Sequence, residues 1–113
     1  MRTIPIKFLE KDYTLCFSVG VMMRMEDENL SLDTVRGSAT VLSAMMEAGD
    51  AYEKAQGKPG HGFLTVEQIA VSADSDDISA TIPEILKAMN IQAQRKVETA
   101  ESQKNAGAAS PDA

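Results

Sequence analysis

The sequence predicts an α+β, mainly α domain: an N-terminal β-hairpin, about four helices and a disordered C-terminal tail. Its 113 residues are the length of one domain. Apolar residues alternate with period two near the N-terminus and then recur at spacings of three and four, the periods of strands and helices. From residue 101 onward there is no apolar pattern to bury. We therefore expect one domain over residues 1–100 and a disordered tail over 101–113.

Residues 2–18 are predicted to form the hairpin. Two runs of alternating apolar residues are separated by the polar segment 9–12, and their apolar members are Ile4, Ile6, Phe8, Tyr13, Leu15 and Phe17. Pro5 has no N–H for a ladder hydrogen bond, which places the first strand at a sheet edge. Because a lone hairpin is only marginally stable in water, we expect it to lie on helices or to pair with another chain.

Four helical segments are predicted to follow, at about residues 19–28, 32–56, 65–73 and 82–98. Each segment is preceded or opened by a hydroxyl residue suited to an N-cap, namely Ser18, Ser31, Thr65 and Thr81. The third and fourth also have the capping-box spacing, with Gln68 and Glu84 three residues after the cap. Pro83 then falls in a first helical turn, where its missing N–H is harmless. The pattern leaves open whether Ile78 belongs to the fourth helix.

The longest predicted helix carries two neighbouring apolar stripes. One contains Leu32, Val35, Ala39, Leu42, Met46 and Gly49, and the other contains Val41, Met45, Ala48, Tyr52 and Ala55. Two stripes are more than one core face needs, so the second is predicted to serve self-association or partner binding. Gly37 and Gly49 each cost about 1 kcal/mol relative to Ala inside a helix, which indicates a kink or a close approach of another backbone.

Charge and cysteine content narrow the class of protein. There are 17 Asp and Glu against 11 Lys and Arg, giving a net charge of -6, which argues against a nucleic-acid binder. Cys16 is the only cysteine, so an internal disulfide is excluded and the residue is expected to be buried and inert. The N-terminus lacks a signal-peptide pattern, and no apolar run approaches the ~18 residues of a membrane span. We expect a cytoplasmic protein.

No residue pattern predicts catalysis, a cofactor or a metal. The acidic run at residues 74–77 lacks the further oxygen ligands and the glycine of a calcium loop. The Gly/Pro-rich segment 57–62 lacks the order of a phosphate-binding loop and is interpreted as a flexible linker, with His61 solvated in it. We therefore predict that the protein is not an enzyme and binds neither a cofactor nor a metal.

Methionines suggest a surface for other proteins. Five of the seven fall in two groups, at residues 22–25 and 45–46. Methionine is flexible and polarisable, and it is common both in irregular cores and where a surface accepts varied apolar partners. The residues predicted to contact a partner or a second copy are Met22, Met23, Met25, Val41, Met45 and Tyr52.

The order of elements resembles a known family. The hairpin sequence from Thr3 to Ser18 is followed directly by a short acidic helix, Met22–Glu28; Ser31 and Leu32 then open a long helix, and Leu64 to Ile69 a short one. Over roughly residues 3–90 this is similar to the tail assembly chaperones of long-tailed bacteriophages and prophages. The resemblance lies in element order and hydrophobic pattern, because that family has no catalytic or ligand motif to match.

The resemblance implies a small, acidic, largely helical protein that binds the tape-measure protein and keeps it soluble while tail-tube subunits polymerise around it. It also implies self-association, and in many members a longer form made by ribosomal frameshifting. The alternative from the residues alone is a small acidic regulatory or adaptor protein, antitoxin- or inhibitor-like, that binds another cytosolic protein.

Overall fold

The computed structural model describes residues 3–90, and it confirms the predicted class. The hairpin consists of β1 (Ile4–Phe8) and β2 (Lys11–Leu15), and it is followed by α1 (Val19–Asp27), α2 (Val35–Ala55) and α3 (Val66–Ser72). A fourth helix, α4, occupies residues 75–90. The predictions for residues 91–113, including the helix end at 98, the domain end at 100 and the disordered tail, lie outside the described residues.

The hairpin turn is tight. Phe8 pairs with Lys11, so only Leu9 and Glu10 form the turn, and both have positive φ, 51° and 66°, as a type I′ turn requires. Hydrogen-bonded and non-hydrogen-bonded pairs alternate from such a turn, which makes Pro5 and Thr14 a non-hydrogen-bonded pair. The missing N–H of Pro5 therefore faces outward at the edge of the sheet, and no ladder hydrogen bond is lost.

Helix α2 covers the other edge of the hairpin. The backbone N–H of Cys16 donates to the carbonyl of Met45 across 3.1 Å. One turn further along the same helix face, the carbonyl of Thr14 lies so close to Gly49 that a Cβ there would clash with it. Of the two alternatives predicted for Gly49, a kink or the close approach of another backbone, the close approach is the one observed. A sheet edge that would otherwise be exposed is satisfied by a helix.

Helix α2 is the centre of the fold, in contact with β2, α1 and α3. Its residues from Gly37 to Met46, together with Gly49 and Asp50, are buried. The prediction that the second stripe is surplus surface is wrong for Val41 and Met45, which are fully buried. Neighbouring elements cover most of the helix, so residues of both stripes lie in one core, whereas Val35 and Ala55 at the two ends of the helix are exposed. That core also contains Ile4, Ile6, Phe8, Tyr13, Leu15, Val21, Ile69, Ile78 and Ile85.

Helices α1 and α3 begin as predicted. The Ser18 hydroxyl accepts from the N–H of Val21, and Thr65 and Gln68 form both bonds of the capping box. Helix α1 ends at Asp27, within one residue of the predicted bound, and Asn29 follows at φ 52°, the left-handed conformation common just after a helix.

Helix α2 begins three residues later than predicted. Its N-cap is Thr34, whose hydroxyl accepts from the N–H of Gly37 at 2.9 Å. Ser31 instead belongs to a turn that folds back over the first turn of the helix. Its carbonyl occupies the space beside Gly37, where a Cβ would clash with it, and the carbonyl of Leu32 accepts from the hydroxyl of Ser38 at 3.0 Å. The start of the helix is therefore determined by the contact of the Ser31 carbonyl with Gly37, which is possible because Gly37 has no side chain.

Helix α4 begins seven residues earlier than predicted, at residue 75. Asp74 and Asp77 form a reciprocal cap, each carboxylate accepting from the backbone N–H of the other at 2.9 and 3.0 Å. Thr81 is therefore not the N-cap; it lies inside the helix, buried, and its hydroxyl donates to the carbonyl of Ile78. Pro83 also lies inside the helix, and Ile78 belongs to it.

Candidate functional site

An open apolar groove of about 400 Å³ lies between the N-terminal half of α2, helix α3 and the start of α4. We call it the α2–α3 groove. Its apolar lining consists of Val35, Ala39, Val66, Ile69, Ala70, Ala73 and Ile78, and Arg36, Asp74 and Ser75 complete it. A volume of this size is within the range of protein sites that accept ligands or several side chains of a partner.

Short side chains keep this groove open. Ile69 and Ile78 are buried and belong to the core, so the base of the groove is the core itself. Ala39, Ala70 and Ala73 extend only a Cβ into the space above it. Val35, at the first residue of α2, is 64% exposed. The groove is therefore an apolar depression of the surface whose base is formed by buried core residues.

A second cluster, of polar residues, attaches the loop after α2 to the hairpin. We call it the polar clamp, and it consists of Thr14, Asp50, Glu53, Lys54 and His61. The hydroxyl of Thr14 donates to Glu53 Oε2 at 2.8 Å. Nδ1 of His61 lies 2.9 Å from Glu53 Oε1 and 3.2 Å from the Thr14 hydroxyl oxygen. Asp50 Oδ1 accepts from the backbone N–H of Gly62 at 2.9 Å, and its Oδ2 lies 3.0 Å from Lys54 Nζ.

These contacts stabilise the ionised forms of both carboxylates. The hydrogen bond from the Gly62 backbone, followed by that from Lys54, holds the pKa of Asp50 below its usual value. For Glu53, burial by itself raises the pKa, but the hydrogen bonds from His61 and Thr14 outweigh it and the net pKa is lowered. His61 is exposed, as predicted, with 49% of its side-chain surface accessible, although it is also hydrogen-bonded to Glu53. The interpretation of its loop as a flexible linker is wrong, because contacts at His61 and Gly62 attach the loop to α2.

Thr14, His61 and Glu53 are the residue types of a nucleophile, a base and an acid, but they are not arranged as a catalytic relay. A relay uses the two ring nitrogens of histidine separately, one toward the acid and one toward the nucleophile. Here Nδ1 contacts both partners, and the Thr14 hydroxyl donates directly to Glu53. Thr14 is also buried. The geometry is that of a structural clamp.

Cys16 directly follows β2, and it is fully buried as predicted. Burial raises the pKa of its thiol, which disfavours the reactive thiolate. Within residues 3–90, no group of three or more His, Cys, Asp or Glu side chains is placed to hold a metal ion. In the same part of the chain, no helix combines the length and the apolar character that crossing a bilayer requires.

The structure separates the six predicted contact residues. Met23 is exposed to 57%, and Met22, Met25 and Tyr52 are half-buried. Met25 packs against the core, and the hydroxyl of Tyr52 accepts from the Gln56 side chain at 2.7 Å. Val41 and Met45 are fully buried and are not available to a partner in this fold. Of the six, only Met23 is largely exposed.

The residues that line the α2–α3 groove were not among those predicted. Val35 and Ala39 belong to the first stripe of α2, which the sequence assigns to the core. Val66 and Ala70 on α3, and Ala73 at its C-cap, follow one another at helical spacing and could have indicated a second apolar face beside Ile69. The groove itself arises only where three elements meet.

Comparison with protein-family models, with curated proteins and with solved structures finds no match for this chain.

Proposed function

We propose that the protein is a phage or prophage tail assembly chaperone, which binds the tape-measure protein in the bacterial host cytoplasm and keeps it soluble for tail-tube assembly. The α2–α3 groove carries this proposal. Its lining is mainly apolar and lies against the core, and it could receive side chains from the apolar stripe of a partner helix.

Charge supports the same role. A chaperone that exposes an apolar groove must itself remain dispersed, and a net charge of -6 on 113 residues opposes its aggregation. The tape-measure protein is long and helical, so an amphipathic segment of it could place several apolar side chains in the groove, one turn apart. A helix bound in this way would no longer expose those side chains to other copies.

The test is co-expression with the tape-measure protein encoded in the same phage or prophage. We expect the tape-measure protein to be mainly in the soluble fraction when the chain is present, to be mainly insoluble when it is absent, and to co-purify with the chain. A tape-measure protein that stays insoluble beside the folded chain would overturn the proposal.

Matched variants connect the solubility to a surface. Ala70→Trp fills the α2–α3 groove from an exposed position, whereas Val71→Trp places the same side chain at the neighbouring residue, which is 88% exposed and does not line the groove. If the groove is the binding site, only the first variant loses the tape-measure protein. Circular dichroism of both variants checks that they fold.

A further inference from the structure

We draw no further inference here: the strongest candidate, the α2–α3 groove between the N-terminal half of α2, helix α3 and the start of α4, carries one basic and one acidic side chain beside its apolar lining, so nothing in residues 3–90 shows what covers it.

Discussion

Two small residues in the two halves of α2, Gly49 and Ala39, have different surroundings. In the C-terminal half, Gly49 has no side chain, and the backbone of β2 fills the space beside it. In the N-terminal half, Ala39 faces Ala70 and Ala73 across a space of about 400 Å³ that nothing in residues 3–90 fills. A small residue thus closes the core where a neighbouring backbone approaches and leaves a groove where none does. The C-terminal half of α2 is therefore packed against a neighbouring backbone, whereas part of its N-terminal half borders an open groove.

Polar contacts reinforce this difference. The C-terminal half of α2 contributes Asp50, Glu53 and Lys54 to the polar clamp, which fixes both the hairpin and the loop that follows the helix. At the groove, Asp74 makes its hydrogen bonds with Asp77 of its own helix. The clamp connects segments far apart in sequence, whereas the groove border is satisfied locally. A partner could therefore occupy the groove without breaking long-range polar contacts.

The largest loss of stability is expected from a charged side chain placed at a buried position of α2. Met45→Glu places a carboxylate at a fully buried position with no basic partner, which should cost about 4 kcal/mol or more and unfold much of the protein. Its control, Met23→Glu, is on an exposed face of α1 and should change the free energy of unfolding by less than about 0.5 kcal/mol. Urea denaturation followed by circular dichroism measures both. A folded Met45→Glu with altered self-association would support the surface role that the sequence suggests instead.

The next largest loss of stability is expected when a single methyl group is added at Gly49. Gly49→Ala gains about 1 kcal/mol of helix propensity, but its Cβ would clash with the carbonyl of Thr14. The two backbones must separate, which also weakens the bond from Cys16 to Met45, so we expect a net loss of about 1–3 kcal/mol.

The matched control is Gly20→Ala in α1. There the nearest atom to a new Cβ is the Ser18 hydroxyl oxygen at an ordinary 3.7 Å. This variant should be stabilised by up to about 1 kcal/mol. If chemical denaturation shows the two alanine variants stabilised equally, the close approach of β2 to α2 is wrong.

The polar clamp is expected to make the stability of the folded protein depend on pH. The pKa values of Asp50 and Glu53 are lower in the folded protein than their ordinary values of about 3.9 and 4.3. Their contribution to stability is therefore fully present above those ordinary values and is lost as the pH falls through the lower folded values. Thermal denaturation between about pH 6 and 3 should show a steeper loss in the parent than in the variant Asp50→Asn with Glu53→Gln. Parallel curves would mean that the clamp does not favour the ionised carboxylates.

The sequence predicts best the parts of this fold that are determined locally. The alternation in β1 and the caps at Ser18 and Thr65 depend on residues a few positions apart, and they are confirmed. The alternation predicted for β2 is wrong at Thr14 and Cys16, which are buried because α2 covers that edge of the hairpin. The starts of α2 and α4 were wrong because two candidate caps compete in each case. For α2, the contact of Ser31 with Gly37 favours the later cap, and for α4 the reciprocal Asp74–Asp77 cap favours the earlier one.

The candidate site was harder to predict because it depends on contacts between elements that are distant in sequence. An apolar stripe shows that a helix face is buried, but it does not say whether the chain or a partner covers it. Val41 and Met45 were expected at a surface and are in the core, while Val35 was assigned to the core and is exposed. The groove depends on α3 and α4 meeting α2 through Ile69 and Ile78, and no pattern within one helix encodes that arrangement.

The smallest effect on stability is expected at the α2–α3 groove, from a change on α3 that is to be compared with Gly49→Ala. Ala70→Leu adds three carbons to an exposed alanine that lines the groove, where there is space to receive them. The free energy of unfolding should stay within about 0.5 kcal/mol of the parent, while affinity for a helical partner falls because the added side chain occupies its place. A loss of stability as large as that of Gly49→Ala would mean that the groove is a packed part of the core. Calorimetry for stability, together with peptide titration for binding, distinguishes these outcomes.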